Sequence, residues 1–320
     1  MKLTNTQLQN YVDRIKFTQE DKQKYQSQIN NLIGHVQQFI KDNTDCKVTR
    51  VLQSGSWKKG TILYPKDGID LDIDLVFFLE ADEAQEKDLR QLNAQIKEFL
   101  QKAYPNKKAE DFWDSAKTAG VVFKGTGLNF DIVPVVPTDP ESYVWQPEKG
   151  KRSRYITSID IQLKFNSSLK EANSHYTSIV RMLKKWKKIK ELGLSSFSIE
   201  IIEGWLEYTQ GNKLRIEDAL IRFFDLLSRH QFPNITFDFN YPIDSKINSN
   251  SKGAVYIADP ANPANNTAEY LSYNDWKLVQ QEASLAFETL MYARELDYKN
   301  KTIDLWKEVF GSTFSIELLP

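Results

Sequence analysis

Cysteine is nearly absent from this chain. A single Cys46 among 320 residues excludes any internal disulfide and leaves no Cys-based zinc ribbon. Histidine is almost as scarce: His35, His175 and His230 fall in helical-looking segments without partner spacing, so no Ser-His-Asp or Cys-His triad can be read from them. No apolar run approaches the roughly 18 residues of a membrane span. The opening MKLTNTQLQN does not follow a secretory-signal pattern. With a formal net charge of −1, the chain lacks the basic excess of an obligate nucleic-acid coat, although a local basic patch is compatible with it. Internal repeats and low-complexity tracts are missing as well. These absences point to a reducing, cytoplasmic setting away from membranes. What is present, 41% hydrophobic and 12% aromatic residues, suits two domains or one two-lobed fold around a sizeable core.

The most informative stretch is Gln53 to Leu79, QSGSWKKGTILYPKDGIDLDIDLVFFL. A Gly-Ser turn and a short basic loop lead to acidic residues that alternate with apolar ones into the strand Leu75 to Leu79. Side chains alternate faces along a strand, so Asp72 and Asp74 point the same way. Two carboxylates on one face repel unless a hard cation lies between them, and oxygen ligands at this density suit Mg²⁺ held together with substrate phosphates. A Gly-Ser turn just upstream offers backbone N–H groups to a triphosphate. Two other motifs fail on spacing. A calcium loop opening at Asp70 would need Gly where Leu75 stands and Glu where Ala81 stands, and a phosphate loop at GSWKKGT would need Lys where Thr61 stands. A solvated acidic turn before an ordinary strand is the bland alternative.

A third carboxylate weighs against that alternative. In Gly120 to Val136, GVVFKGTGLNFDIVPVV, two apolar runs flank Lys124 to Gly127 and predict a hairpin. Asp131 interrupts the second run, where burial is costly unless the group is paired or metal-bound. Pro134 predicts that this strand lies at an edge or loses its partner there.

Elsewhere the pattern predicts one long or broken helix from Thr6 to about Asp42, a short strand over Lys47 to Gln53, and an amphipathic helix from Asp88 to Ala103. Pro137 to Arg154 reads as a Pro-, Glu- and Lys-rich loop, a lid or lobe junction. From about Ser168 the chain turns helical, over Ser174–Leu192, Ser195–Gln210, Arg215–His230 and Tyr273–Leu296. In IVRMLKKWKKIK the apolar residues share one face, while Arg181, Lys184, Lys185 and Lys188 share the other, as in most solvated faces. DPANPANN (Asp259 to Asn266) is too polar and Pro-rich to be expected in a core, and reads as a loop with Asn-capped turns.

Gly55-Ser56, the Asp72-Ile73-Asp74 pair and Asp131 on a later strand resemble the polymerase-β-like nucleotidyltransferases. DIVPVV, DPANPANN and LWKEVFGSTF sharpen this, from about Gln53 to Phe314, to a resemblance to the bacterial CD-NTases of the CdnC-like clade. The resemblance implies an α+β fold in which a polymerase-β-like lobe with a mixed β-sheet packs on a C-terminal helical lobe. The expected division is 1–165, with the N-terminal helix, and 166–320, which closes the active-site cleft. It implies Asp72, Asp74 and Asp131 as ligands of two Mg²⁺ ions, Mn²⁺ being the alternative ion. Asp70/Asp72 stays open as a competing pair, because the Thr61–Asp72 loop is longer than in close kin. Gly55, Ser56, Lys184 and Ser196 would hold the triphosphate, with Asp259 and Asn262 beside the cleft. The zinc-bearing DNA clamp of cGAS has no counterpart at this cysteine count.

The activity so implied is template-independent synthesis of a cyclic oligonucleotide, an adenine-containing trinucleotide in this clade, from NTPs and above all ATP. The implied context is antiphage defence with a nuclease effector, a HORMA-domain regulator and a Trip13-like ATPase, nucleic acid entering only as an activator. Two other functions stay open: an RNA-primed transferase of tRNA or poly(A) type, and a non-catalytic nucleotide-binding protein on the same fold.

Overall fold

A computed structural model describes residues 1–64, 71–80, 89–115, 117–140, 142–147, 154–244 and 253–317. Asp70 lies outside the described residues. The chain opens with two helices, α1 (Asn5–Ile15) and α2 (Gln19–Asn43). The break between them has a local cause, because each helix starts with its own reciprocal cap. The Thr4 hydroxyl accepts from the Gln7 N–H at 3.2 Å while the Gln7 amide oxygen accepts from the Thr4 N–H at 2.9 Å. Thr18 and Asp21 repeat the exchange at 3.1 and 3.0 Å. A cap of this kind contributes about 1 kcal/mol and fixes where a helix begins.

Two compact units result: Phe17–Leu163, and Met1–Lys16 together with Lys164–Pro320. In this division α1 groups with the C-terminal helices. Its buried Leu8, Tyr11, Val12 and Ile15 need apolar partners. The Tyr11 hydroxyl donates to the Phe310 carbonyl (3.0 Å) and the Asn10 amide to the Ile316 carbonyl (2.9 Å).

The first unit is built on a sheet. Strand β1 (Lys47–Gln53) is followed by the short helix α3 (Gly55–Lys59), β2 (Leu71–Glu80), helix α4 (Leu89–Ala103), β3 (Phe112–Asp114), β4 (Ala119–Phe123), β5 (Leu128–Thr138), β6 (Tyr143–Pro147) and β7 (Arg154–Thr157). The order is β1-β2-β5-β4-β3, with β6 on the far end of β5 and β7 on β6. Among the described residues only β2 and β5 pair in parallel in this sheet, so it is mixed, as expected.

Alternation assigns the two faces. Leu71, Ile73, Leu75, Phe77 and Leu79 of β2 join Leu128, Phe130 and Ile132 of β5 in one core with Ile29, Leu32 and Val36 of α2 and Ile96 and Leu100 of α4. Each such side chain contributes about 1.5–3 kcal/mol on burial. The opposite face carries a smaller cluster of Val76, Phe78, Val133, Val135, Val144 and Ile159, and beyond its end come the aspartates.

Two expectations need correction here. The edge alternative for Pro134 fails, since it pairs in parallel with Phe77 on a strand flanked on both sides, whereas the other alternative, loss of a partner there, holds. It sits where the other side changes partner: β4 pairs as far as Ile132 and β6 begins at Val136, so a residue without an N–H leaves no ladder bond unmade. The Pro137–Arg154 loop is also shorter than read, because Tyr143-Val144-Trp145 pairs with Val136, Pro137 and Thr138.

Helix α5 (Ile159–Ala172) begins earlier than expected, and the second unit is mostly helical from there on, with α6 (Tyr176–Ile189), α7 (Ser196–Gln210) and α8 (Ile216–Ser228). A small hairpin, β8 (Ala258–Asp259) and β9 (Asn262–Asn266), precedes α9 (Tyr273–Glu295) and α10 (Lys299–Phe310). Helix α6 is central, touching α1, α7, α8 and α10.

Candidate active site

Register, rather than sequence proximity, assembles the site. Asp74 on β2 pairs with Asp131 on β5, and Asp72 pairs with Asn129. On the other side of β5, Asp131 faces Gly120 of β4, and Gly120 faces Trp113 of β3. Trp113, Gly120, Asp131 and Asp74 therefore form one row across four strands, on the face away from α2 and α4. Asp72 is exposed, while Asp74 and Asp131 are half-buried.

Asp131 and Asp72 are each held by a neutral donor. Asp131 Oδ1 accepts from the Trp113 indole N–H at 3.1 Å and from the Thr118 hydroxyl at 2.8 Å. Asp72 Oδ1 accepts from the Asn129 amide at 3.2 Å. Among the described residues no three acidic, His or Cys side chains converge closely enough to chelate an ion as they stand. The three aspartates therefore share one face without closing around one point. The donor set is oxygen-only and lies near the starts of β2 and β5, which fits a hard divalent cation once Asp72 and Asp74 turn toward Asp131.

The Gly-Ser turn lies against these aspartates. The Ser54 N–H donates to the Asp74 carbonyl (2.8 Å), tying the start of α3 to β2. Gly55 has φ +58°, and a Cβ there would lie 1.7 Å from Asp74 Oδ2. Only glycine allows so close an approach. Ser56, half-buried, follows on the first turn, and its carbonyl accepts from the N–H of the fully buried Thr61 at 3.0 Å. Trp57 anchors α3: its ring is buried against Phe17, its N–H reaches Gln53 Oε1 (3.1 Å), and its carbonyl accepts from Lys22 Nζ (2.5 Å).

The remaining candidates belong to the helical unit. Lys184 is not on a solvated face. It is 5% exposed and its Nζ donates to Glu200 Oε1 of α7 at 2.6 Å. Lys188 on the same face is exposed and Arg181 and Lys185 are half-buried, so the burial is particular to Lys184, on a helix with neighbours on several sides. Ser196 opens α7 one turn before Glu200, with Ser195 as the cap accepting from the Ser198 N–H at 2.8 Å.

Asp259 and Asn262 are also buried, against expectation, each 2% exposed. The polar segment tolerates this because it satisfies itself: Asp259 Oδ1 accepts from the Ala261 N–H (2.9 Å) and Asn262 Oδ1 from the Ala264 N–H (3.0 Å). Asn266 does the same, accepting from the Ile257 N–H and donating to the Val255 carbonyl. Through Thr267 the hairpin reaches Ser198 Oγ (3.3 Å) at the start of α7.

Sequence reasoning missed Trp113, Thr118, Gly120 and Asn129. Asn129 carried a signal, since it lies two residues before Asp131 on the same strand face. Trp113 carried none without the register of β3.

A mixed sheet with aspartates on its open face, and a Gly-Ser turn bonded to the strand beneath them, is the architecture of a nucleotidyltransferase. The structure of E. coli MS115-1 CdnC with ATP superposes with a TM-score of 0.80 at 27% identity, covering 98% of this chain and 99% of that one. The CdnC:HORMA-deltaN complex from the same source matches at 0.78 and 28%, over 98% of both chains. A CBASS oligonucleotide cyclase CdnC from Escherichia coli (strain KTE188) is 33% identical over 99% of each chain. A cyclic AMP-AMP-AMP synthase from Escherichia coli (strain MS 115-1) is 30% identical over 94% of each. Residues 1–173 match the Second Messenger Oligonucleotide or Dinucleotide Synthetase domain, and the chain belongs to that family.

Proposed function

We propose that this chain is the nucleotide cyclase of a CBASS antiphage system and joins NTPs, chiefly ATP, into an adenine-containing cyclic trinucleotide. The observation that carries the reading is the pairing of Asp74 with Asp131 on adjacent parallel strands, against a glycine that admits no side chain. Asp72, Asp74 and Asp131 would hold the divalent ions. When bound, such ions (Mg²⁺, or Mn²⁺ in its place) would supply Lewis-acid chemistry, activating an attacking hydroxyl and offsetting charge on the leaving pyrophosphate.

The chain's own groups do the rest. Gly55 and Ser56 present the turn to the triphosphate. Lys184 and Ser196 are proposed as further phosphate contacts, and Lys184 must give up Glu200 to serve as one. Asp259 and Asn262 shape the segment next to the start of α7 and are proposed as support for it. A HORMA-domain regulator is supported by the family relationship to CdnC. A Trip13-like ATPase and a nuclease responding to the product complete the proposal. No helix among the described residues is long and apolar enough to cross a membrane, and the cytoplasm is the proposed location.

The test is incubation with each radiolabelled NTP and Mg²⁺, with and without a HORMA activator, followed by phosphatase treatment and mass analysis. A phosphatase-resistant cyclic tri-adenylate or close relative is expected. A linear, phosphatase-sensitive ladder from the activated enzyme, or a requirement for an RNA primer, would remove the cyclase assignment. A dominant cyclic dinucleotide would remove only the ring size.

A further inference from the structure

We infer that Trp113 is a positioning residue for Asp131, with Gly120 as the gap that lets it act. The inference rests on the reading of Asp131 as a metal ligand. Trp113 and Asp131 sit on strands separated by β4, too far apart for a side chain on β4 to be ignored. The residue between them is Gly120. A Cβ there would lie 2.2 Å from two atoms of the Trp113 ring and 2.5 Å from the Phe130 carbonyl oxygen, so the indole crosses directly over a bare backbone. That crossing delivers its N–H to Asp131 Oδ1 at 3.1 Å.

Thr118 adds a second donor to the same oxygen, and its position is fixed from the other side. The Thr118 N–H donates to Ser115 Oγ (3.0 Å), and the Ser115 N–H to the Thr118 carbonyl (2.7 Å). Oδ1 thus takes both donors, and Oδ2 accepts no hydrogen bond among the described residues. An indole can only donate, so this contact cannot reverse its polarity. The arrangement fixes the rotation of Asp131 about its Cβ–Cγ bond and reserves Oδ2 for the ion. Outer hydrogen bonds to a ligand of this kind typically change metal affinity or activity by about 10- to 100-fold.

The probe is Mn²⁺ alone, titrated into full-length, nucleotide-free protein, with the free ion read by electron paramagnetic resonance. Trp113→Phe keeps a ring over Gly120 and deletes only the N–H. It should weaken Mn²⁺ binding by about 10-fold or more and lower kcat with little change in the KM for ATP. Thr118→Val should act in the same direction, and Thr118→Ser, which restores a hydroxyl, should recover both readouts. Asp131→Asn separates the two levels of the argument. If Asp131→Asn loses Mn²⁺ while Trp113→Phe and Thr118→Val bind it as the wild type does, the positioning role is overturned and the ligand assignment stands. If Asp131→Asn also binds normally, the ligand assignment itself has failed. A loss in Trp113→Phe matched by a fall in melting temperature, without recovery by Thr118→Ser in the parallel series, would assign Trp113 a packing role and likewise overturn the inference.

Discussion

Gly55 and Gly60 bracket α3 and allow the cost of a backbone conformation to be separated from the cost of crowding a carboxylate. Both have positive φ, +58° and +67°. A Cβ at Gly60 would meet nothing within 4 Å, whereas one at Gly55 would fall 1.7 Å from Asp74 Oδ2 and 2.6 Å from its Cγ. Gly60→Ala should therefore show the left-handed penalty alone, about 1–2 kcal/mol. For a unit of this size that lowers Tm by about 2–8 °C. Turnover should stay close to normal.

Gly55→Ala adds a clash that Asp74 can relieve only by leaving its rotamer, at about 0.5–1.5 kcal/mol more. The stability difference between the two variants is therefore small. On the proposed role of Asp74 the catalytic difference should be large, because displacing it would remove a main electrostatic element, and kcat should fall by about 10²–10³ in Gly55→Ala. Adding Asp74→Ala to Gly55→Ala should return the extra stability loss without returning turnover. The assays are thermal unfolding and single-turnover product formation with saturating ATP. Normal kcat in Gly55→Ala, at a Tm matching Gly60→Ala, would refute the reasoning.

Asp131→Asn keeps volume and removes charge, so turnover should drop by about 10³ at unchanged Tm; Asp72→Asn should be equally inactive and Asp70→Asn mild, and the reverse order would move the metal pair to Asp70/Asp72. Lys184→Met should destabilise by about 3–5 kcal/mol in denaturant titration, since Glu200 is left buried without its cation, and the added Glu200→Gln should restore most of it. With stability restored, a raised KM for ATP would support the phosphate role of Lys184, and an unchanged KM would end it. Arg222 donates to both Glu203 and Glu207 at 3.0 Å, one cation between two carboxylates, and burial holds the Glu203 carboxyl well above the usual range. A proton bound more tightly in the folded state gives stability that is full below pH about 4.5 and declines as pH rises through the folded pKa; Glu203→Gln should flatten that decline, and an unchanged pH slope would count against it.

The aspartate-bearing face was legible because Asp131 breaks a strand that is otherwise apolar, and because Asp72 and Asp74 lie two positions apart, one full strand period. Gly55 was legible as a turn but not as a cradle, since its need for glycine comes from Asp74 across a register that one strand does not reveal. Lys184 misled for the opposite reason. A helix with cations on one face looks the same whether that face meets water or a carboxylate on a neighbouring helix, and only the packing of α6 beside α7 decides. DPANPANN misled because its polar atoms are spent on its own backbone, so polarity did not predict exposure. Trp113 depends on three strands being in register and could not have been found from local pattern.

Helix α1 has a consequence for how the protein is made. Its apolar face is completed by α6 and α8, and its Tyr11 and Asn10 are bonded to Phe310 and Ile316 near the far end of the chain. Everything from Phe17 to Leu163 is thus spliced into the helical unit like an insert between two halves of one body. On the ribosome the insert holds all its own strands and can close early. At about 5–20 residues per second, α1 would wait roughly 10–30 s for α6 and longer for α10. Through that interval Leu8, Tyr11, Val12 and Ile15 form a sticky helix with no native partner yet synthesised, the segment of this chain most in need of a chaperone.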